Sequence, residues 1–177
     1  MKKILLIFLI AVAVIASALF SGQMVTTAFS GVAPTVYLLQ RATAPPQSGD
    51  GDDQIAFSSD RGGGEEIYLV SADGSDLRQL TNGGGAYPAW SPDGMQIAFG
   101  SNRDGNFKID VMDLDGGEPV RLTDDPGMDL SSDWSPDDAQ IAFESDRDGH
   151  SEIYVMNADG SGLQQLTDID ADAWNPA

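Results

Sequence analysis

The chain has 177 residues and no cysteine, which excludes disulfides and thiolate metal ligands, so its stability must come from packing. Its 28 acidic residues face nine basic ones, giving a formal net charge of −19. Because so negative a surface repels phosphate, nucleic acid is excluded as a partner.

The first element is an apolar run, residues 4–20, which follows Lys2 and Lys3. Positive charge is retained on the cytoplasmic side while an apolar run enters the bilayer, so residues 1–22 are predicted to be a signal peptide or a membrane anchor. A cleaved signal has an apolar core of about 7 to 15 residues and a membrane span has about 17 to 25, so both remain open. In either case, the rest of the chain is predicted to be periplasmic or extracellular.

Residues 23–53 come next and show no clear periodicity. They end in RATAPPQSGDGDD, residues 41–53, whose Pro, Gly, Ser and Asp content is typical of an extended tether. We therefore predict a low-complexity tether over residues 23–53 and a folded part that begins near Gln54.

The folded part contains an internal repeat. Ile-Ala-Phe occurs at residues 55–57, 97–99 and 141–143, separated by 42 and 44 residues. The same offsets relate two further sets of positions: Ile67, Ile109 and Ile153, and the Leu-Thr pairs at 80–81, 122–123 and 166–167. A period in the low forties is typical of four-stranded propeller blades or of helical repeats.

The local pattern favours strands over helices. The apolar runs are short, rich in β-branched and aromatic residues, and interrupted by turn residues about every 8 to 12 positions. Runs such as Ile-Tyr-Val-Met, residues 153–156, are apolar on both faces, as expected for a sheet between two neighbouring sheets. We predict an all-β fold of about three blades of four antiparallel strands, with units at 54–85, 86–129 and 130–177, preceded by an N-terminal apolar helix. In the second unit, the predicted strands are 87–91, 96–101, 107–113 and 119–123.

The turn Ser91-Pro92-Asp93-Gly94 links the first two strands of a blade, because Pro presets φ and Gly accepts the left-handed conformation. The third unit has Asp138 in place of this Gly. If Asp138 is left-handed, the replacement costs on the order of 1 kcal/mol.

The run IAFESDRDGHSEIYVMNADGSGLQQLT, residues 141–167, together with AWSPDG, residues 89–94, resembles the TolB-like β-propeller repeat, a WD-repeat-like blade of bacterial envelope proteins. The resemblance covers residues 54–177 and implies a propeller, six-bladed in TolB, that acts through protein contacts. Residues 23–53 leave no room for the amino-terminal α/β domain of TolB, so the resemblance is to the repeat and not to TolB itself.

Three blades are too few for a ring, since propellers usually close with about four to eight. The first unit begins at its second strand, and the final DAWNPA, residues 172–177, begins another first strand without reaching its Trp. The sequence is then either the front part of a longer protein or one half of a homodimeric six-bladed ring. Truncation is favoured, because a tail that closes a ring should retain the Trp and the turn after it.

The densest polar cluster is residues 146–152. A calcium loop counted from Asp146 would need Gly sixth and an acid twelfth, whereas those positions hold Ser151 and Asn157. His150 is the only histidine, and the chain has neither a G-x-S-x-G elbow nor a helix to carry one. We predict a structural loop, no metal, cofactor or catalytic residue, and no enzyme activity in this chain.

Trp90 and Trp134 recur in register and are predicted to pack between blades, whereas the role of Trp174 is open. The longest connections are rich in Asp and fall on one end of the blades, where loops on a rigid scaffold commonly bind partners. The predicted protein-contact residues are Asp124, Asp125, Asp129, Asp133, Asp168, Asp170 and Asp172.

These observations favour an exported or membrane-tethered scaffold that binds another envelope or extracellular protein. Because similar propellers gate the active sites of prolyl-oligopeptidase-like peptidases, the chain is alternatively the amino-terminal propeller of a longer enzyme. The third alternative is the structural homodimeric ring.

Overall fold

A computed structural model describes residues 54–115 and 117–177, so the predicted signal or anchor and the predicted tether lie outside the described residues. The described residues form eleven β-strands: β1 (Gln54–Ser59), β2 (Glu66–Ser71), β3 (Arg78–Gln79), β4 (Ala86–Trp90), β5 (Gln96–Ser101), β6 (Lys108–Asp113), β7 (Val120–Arg121), β8 (Asp129–Trp134), β9 (Gln140–Ser145), β10 (Glu152–Asn157) and β11 (Gln164–Gln165). No helix within these two ranges is long and apolar enough to cross a membrane.

The strands form three antiparallel sheets in which neighbours along the chain are also neighbours in the sheet. We call them blade 1 (β1–β3), blade 2 (β4–β7) and blade 3 (β8–β11). Blade 1 has three strands among the described residues, and the other two have four each. The predicted all-β fold is confirmed, and the strands predicted for the second unit agree with β4–β7 to within one or two residues at each end. The predicted N-terminal apolar helix falls on residues outside the described part.

The hydrophobic core lies between the blades, because β4 packs against β1 and β8 packs against β4 and β5. The core between blades 1 and 2 consists of Ala56, Ile67, Leu69, Trp90, Ile97, Phe99 and Met112. The core between blades 2 and 3 consists of Ala89, Ala98, Ile109, Val111, Trp134, Ile141, Phe143, Tyr154 and Met156. Blade 2 therefore buries both of its faces, which explains why its strands are apolar on both sides.

The innermost strands β4 and β8 share a backbone irregularity. The register shifts between Ala86 and Ala89 in one and between Leu130 and Asp133 in the other. Tyr87 and Ser131 lie at these shifts with φ of 54° and 51°, a left-handed conformation that occurs in one type of β-bulge. The two strands therefore bend in the same way at equivalent positions.

The turn after each innermost strand is also repeated. Gly94 has φ of 72° and Asp138 has φ of 59°, so Asp138 adopts the left-handed conformation for which the cost was considered above. The Asp138 carboxylate accepts a hydrogen bond from the amide of Asp93 at 3.2 Å, a contact that a glycine side chain could not make. This bond offsets part of the cost of placing a non-glycine residue in that conformation.

Candidate functional site

The predicted contact loops lie where one blade passes to the next, and repeated hydrogen bonds hold them. In blade 1, the Thr81 hydroxyl donates to Glu66 Oε2 at 2.6 Å and accepts from the amide of Ile67 at 2.9 Å. Glu66 Oε1 accepts from the amides of Gly83 and Gly84 at 2.9 and 3.2 Å. The buried carboxylate thus fixes the connection between β3 and β4.

Blade 3 repeats this arrangement after β11. Thr167 donates its hydroxyl to Glu152, and Glu152 Oε1 accepts from the amide of Ile169 at 2.9 Å. Further along, the amide of Ser151 donates to Asp172 Oδ1 at 3.1 Å. The segment that carries Asp168, Asp170 and Asp172 is therefore attached to β10 and to the loop before it.

Blade 2 differs, because Lys108 occupies the position of Glu66 and Glu152. Its ammonium donates to the carbonyl of Gly127 and lies 3.9 Å from Asp129 Oδ2. Arg147 also pairs with Asp129. Its guanidinium lies 2.9 Å from Asp129 Oδ1 and 2.7 Å from Asp125 Oδ2. Two cations and two carboxylates therefore hold the connection between β7 and β8.

The loop between β9 and β10 contacts both acidic segments, which are the connection between β7 and β8 and the segment after β11. Its Asp146 Oδ1 accepts from the amide of Met128 at 2.6 Å, and its other end holds Asp172 through Ser151. Gly127 lies so close to this loop that an added Cβ would be 2.6 Å from the Cα of Arg147. Both acidic segments are therefore fixed against blade 3 at the same end of the molecule.

The seven predicted contact residues divide into three sets. Asp124, Asp168, Asp170 and Asp172 are exposed, and we call these four residues the acidic loop face. Asp125, which is partly buried, pairs with Arg147 next to this face. The structure brings the four exposed carboxylates to one end but places the other two predicted residues elsewhere.

Asp129 and Asp133 do not lie on the surface where the sequence placed them. Asp129 is 0% exposed and serves as the counter-ion of Lys108 and Arg147. Asp133 lies within β8 and accepts from the amide of Trp134 at 2.9 Å; burial raises the pKa of its carboxyl, and that hydrogen bond offsets part of the effect. Loop composition failed here because β8 begins three residues after Pro126, earlier than the Asp-rich pattern suggested.

The cluster at residues 146–152 has the architecture of a repeated turn. Gly63, Gly105 and Gly149 each donate their amide to the carbonyl three residues earlier, at 2.8 to 2.9 Å. His150 is exposed on this loop. Within the described part of the chain, no group of three or more His, Cys, Asp or Glu is arranged to hold a metal ion.

The tryptophans also separate into two kinds. Trp90 and Trp134 are buried in the two cores between blades, as predicted, and the Trp134 indole N–H donates to the carbonyl of Ala89 at 3.3 Å. Trp174 is 61% exposed. The recurring pair therefore packs blades together, and Trp174 lies on the surface beside the acidic loop face.

A second ion cluster in blade 2 was not predicted from the sequence. Asp110, with no exposed surface, lies 3.1 Å from the Arg103 guanidinium and 3.6 Å from Arg121, and Arg121 also reaches Asp104 at 2.6 Å. Burial raises the pKa of Asp110, and the two arginines offset part of that rise. An in-register comparison could have found it, because Tyr stands at the equivalent positions 68 and 154 and Gln at 79 and 165.

The chain resembles known proteins in both sequence and structure. Residues 82–177 match the TolB beta propeller domain family. The structure of a putative TolB from Agrobacterium tumefaciens is 34% identical with a TM-score of 0.65, over 68% of this chain and 44% of that one. TolB from Acinetobacter baumannii is 25% identical with a TM-score of 0.61, over 72% of this chain and 32% of that one.

A third relative is a peptidase by name. The uncharacterized peptidase YuxL of Bacillus subtilis (strain 168) is 39% identical over 71 residues, which are 38% of this chain and 11% of the peptidase. The chain spans less than half the length of each of these three proteins. The resemblance drawn from residues 141–167 is thereby confirmed at the level of the repeat and its fold.

Proposed function

Because the chain belongs to the TolB beta propeller domain family, we propose that it is an exported protein-binding scaffold of the cell envelope and that it has no catalytic activity of its own. One observation carries this proposal: the acidic loop face presents four exposed carboxylates on loops that are hydrogen-bonded to buried strands. Loops positioned by a rigid framework are the usual place for recognition. Because these loops are already held in place, little conformational entropy is lost when a partner binds.

The charge of the acidic loop face defines the partner's chemistry. Asp124, Asp168, Asp170 and Asp172 lie at one end of blades 2 and 3, and the chain as a whole has a net charge of −19. The complementary partner is an envelope or extracellular protein with a basic surface patch. Its association is expected to be fast at low salt and to weaken as salt rises, because exposed charges are screened.

Export is the part of this proposal that rests on the sequence alone. Residues 4–20, preceded by two lysines, would carry the blades across the cytoplasmic membrane and either be removed or remain as an anchor. Fusing a reporter enzyme that folds only outside the cytoplasm to the carboxyl end tests this. Reporter activity is expected, and activity only in the cytoplasm would contradict export.

The contact surface is tested with two charge-reversal variants of equal charge change. The test variant carries Asp168→Lys and Asp170→Lys, and the control carries Asp115→Lys and Glu118→Lys in the turn at the opposite end of β7. Wild type and both variants are used to capture proteins from a low-salt envelope extract, and captured proteins are quantified by mass spectrometry. We expect one partner to be lost with the test variant and kept with the control. Equal capture by the three would contradict the assignment of the surface.

A second candidate function has its own support. The identity with YuxL covers 11% of that peptidase, so our alternative proposal is that this chain is the propeller part of a longer peptidase. The catalytic domain would then follow residue 177. Sequencing the transcript beyond codon 177 tests this candidate: an in-frame G-x-S-x-G elbow would support it, and a stop codon would exclude it.

A further inference from the structure

The two seams between neighbouring blades differ in the position of one arginine. Arg103 in blade 2 and Arg147 in blade 3 are equivalent residues, each in the loop after the second strand of its blade. The Arg103 guanidinium lies 3.1 Å from Asp110 and 3.4 to 3.5 Å from the carbonyl oxygen of Pro119, just before β7. It therefore crosses the sheet of blade 2 on the side that faces blade 1.

In blade 3, other carboxylates hold the arginine. The Arg147 guanidinium lies 2.7 Å from Asp125 and 2.9 Å from Asp129, which precede or begin β8. Charge-assisted pairs of this length fix the direction of a long side chain. Arg147 therefore stays at the acidic end of the seam between blades 2 and 3, and it does not cross the sheet to Leu163, the equivalent of Pro119.

A second arginine contact is also specific to the seam between blades 1 and 2. The Arg78 guanidinium on the outer strand of blade 1 lies 3.4 Å from the carbonyl oxygen of Leu114 in blade 2. The equivalent residues in the next seam are Val120 and Ala158, and a valine side chain has no donor. Val120 is exposed there. The seam between blades 2 and 3 thus has neither of the two arginine contacts that span the first seam.

An open groove of about 160 Å³ lies in the seam between blades 2 and 3, and we call it the seam groove. Its apolar part is formed by Leu122 after β7, Met156 on β10 and Leu163 before β11. Leu163 is 46% exposed, so the groove is open to solvent. An apolar cavity of about 150 Å³ holds a benzene molecule, so the seam groove has room for one side chain of that size.

The polar part of the seam groove is negative. It is formed by the side chains of Asp124, Asp125 and Arg147. Arg147 is paired with Asp125, whereas Asp124 is exposed and forms no ion pair within residues 54–115 and 117–177. Asp124 also belongs to the acidic loop face. An anionic group would therefore be repelled from this part of the groove and a cationic group attracted to it.

We propose that the seam groove anchors the basic partner of the acidic loop face. A segment of the partner inserts one aromatic or large aliphatic side chain between Leu122, Met156 and Leu163, and a neighbouring lysine or arginine of that segment pairs with Asp124. This inference rests on the proposed function and defines the chemistry of its partner more closely. A single apolar side chain buried beside a polar surface commonly contributes much of the affinity of such a contact, while the surrounding charges contribute specificity.

Three short synthetic peptides of equal length test the groove directly. They contain Phe-Lys, Ser-Lys or Phe-Glu between the same glycine residues, so that they differ only in the apolar side chain or in the charge. The full chain is solubilised in mild detergent, with the carbon-13 isotope in the methyl groups of its methionines, and each peptide is titrated by nuclear magnetic resonance. Met156 lines the seam groove, and its equivalent Met112, which is buried in the other seam, is the internal control. The two signals are assigned with Met156→Leu and Met112→Leu.

We expect the Phe-Lys peptide to shift the Met156 signal to saturation and to leave the Met112 signal unchanged. The Ser-Lys peptide should bind at least about tenfold more weakly, because it lacks the buried ring. The Phe-Glu peptide should also bind more weakly, because its carboxylate meets Asp124. Equal binding of Phe-Lys and Ser-Lys, equal binding of Phe-Lys and Phe-Glu, or equal shifts of Met112 and Met156 would each overturn the proposal.

A matched pair of variants locates the peptide on the protein. Leu163 and its equivalent Leu77 are 46% and 48% exposed, so replacing either should not unfold the chain. Leu163→Ser should weaken binding of the Phe-Lys peptide at least about threefold, and Leu77→Ser should leave it unchanged. Equal effects of the two changes would overturn the proposal.

Failure of this inference and failure of the proposed function are separate results. The charge-reversal test of the proposed function changes Asp168 and Asp170, neither of which lines the seam groove. If the peptides do not bind but capture still depends on Asp168 and Asp170, the groove is refuted and the acidic loop face stands. If the Phe-Lys peptide binds in the groove but capture is the same for all variants, the acidic loop face is refuted and the groove stands as a site for an apolar and cationic segment.

Discussion

The middle blade and its two neighbours share one backbone but differ in the contacts inside it. In blades 1 and 3, an arginine lies over two stacked aromatic rings: Arg61 is 4.8 Å from the ring centre of Tyr68, and Arg147 is 4.5 Å from that of Tyr154. In blade 2, Asp110 stands in place of the tyrosine and forms ion pairs with Arg103 and Arg121. The same sheet thus accepts either a cation over aromatic rings or a buried carboxylate with two cations.

A second exchange accompanies the first. Blade 2 has Lys108 where its neighbours have a glutamate, and the next strand provides Asp129 where the equivalent residues are Gly85 and Ala173. In both cases, a change of charge at one position is matched by a partner of opposite charge on another strand. These positions therefore vary together. A buried charge without its partner lowers the stability of the fold far more than either complete set of paired residues does.

The largest expected effect is at Asp129. Replacing Asp129 by Ala leaves Lys108 buried without its carboxylate and deprives Arg147 of one of two partners, so the free energy of unfolding should fall by about 3–5 kcal/mol. Urea unfolding followed by tryptophan fluorescence measures this. The double variant Lys108→Glu, Asp129→Gly gives blade 2 the pattern of blade 1 and should recover most of the loss. A double variant no more stable than Asp129→Ala would refute the matched-set interpretation.

Asp110 should show a smaller effect of the same kind. Asp110→Ala leaves Arg103 and Arg121 near each other without the shared carboxylate, but both arginines retain some exposure, so the expected loss is about 2 kcal/mol. Asp110→Tyr combined with Arg121→Gln restores the residues of blades 1 and 3. Thermal unfolding should place this double variant nearer to wild type than Asp110→Ala. The reverse order would show that the ion cluster is not exchangeable for the aromatic arrangement.

The two core tryptophans should differ by one hydrogen bond. Trp134→Phe loses the bond to Ala89, and Trp90→Phe has none to lose among the described residues, so Trp134→Phe should cost about 1 kcal/mol more. Equilibrium unfolding in urea measures this difference. Equal losses of stability in the two variants would contradict it.

The smallest expected effect concerns Asp133, which occupies in blade 3 the position that Ala89 occupies in blade 2. Burial holds the pKa of Asp133 above its ordinary 3.8, so the folded state binds the proton more tightly than the unfolded state. Its contribution to stability therefore increases as pH falls through the raised pKa towards 3.8 and decreases as pH rises. Asp133→Asn should reduce the pH dependence of the free energy of unfolding, measured between pH 4 and 7.

Asp137 is the control for that measurement. The Ser135 hydroxyl and the amide of Ala139 lower the pKa of Asp137, so its contribution is present above 3.8 and lost as pH falls. Asp137→Asn should therefore change the profile in the opposite direction. If both variants changed the pH dependence of stability in the same direction, the assignment of opposite pKa shifts to Asp133 and Asp137 would be contradicted.

Much of the fold followed from the repeat. The register of Ile55, Ile97 and Ile141 predicted the strands, and the Ser-Pro-Asp-Gly turn predicted the left-handed Gly94. These features are local, so propensity and turn chemistry are sufficient to predict them. The predictions for residues 1–53 remain predictions, because those residues lie outside the described part of the chain.

The contact surface was less predictable. Asp124 and Asp129 lie in the same Asp-rich stretch, yet one is exposed and the other is completely buried. The difference is set by Lys108 on β6 and Arg147 in the loop between β9 and β10, which are both distant from Asp129 in sequence. The burial of Asp129 could have been predicted by aligning the repeats. Lys108 stands where the other two units have a glutamate, and a buried lysine needs a carboxylate nearby.

The hydrogen bond from the amide of Asp93 to the Asp138 carboxylate has a consequence for folding. Chains built from similar units are prone to misassembly, in which a segment docks on the wrong neighbour. The turn at Gly94 has no side chain with which to offer this acceptor, so among residues 54–115 and 117–177 the bond runs from the second unit to the third alone. We expect this carboxylate to favour the native order of units over a swapped one.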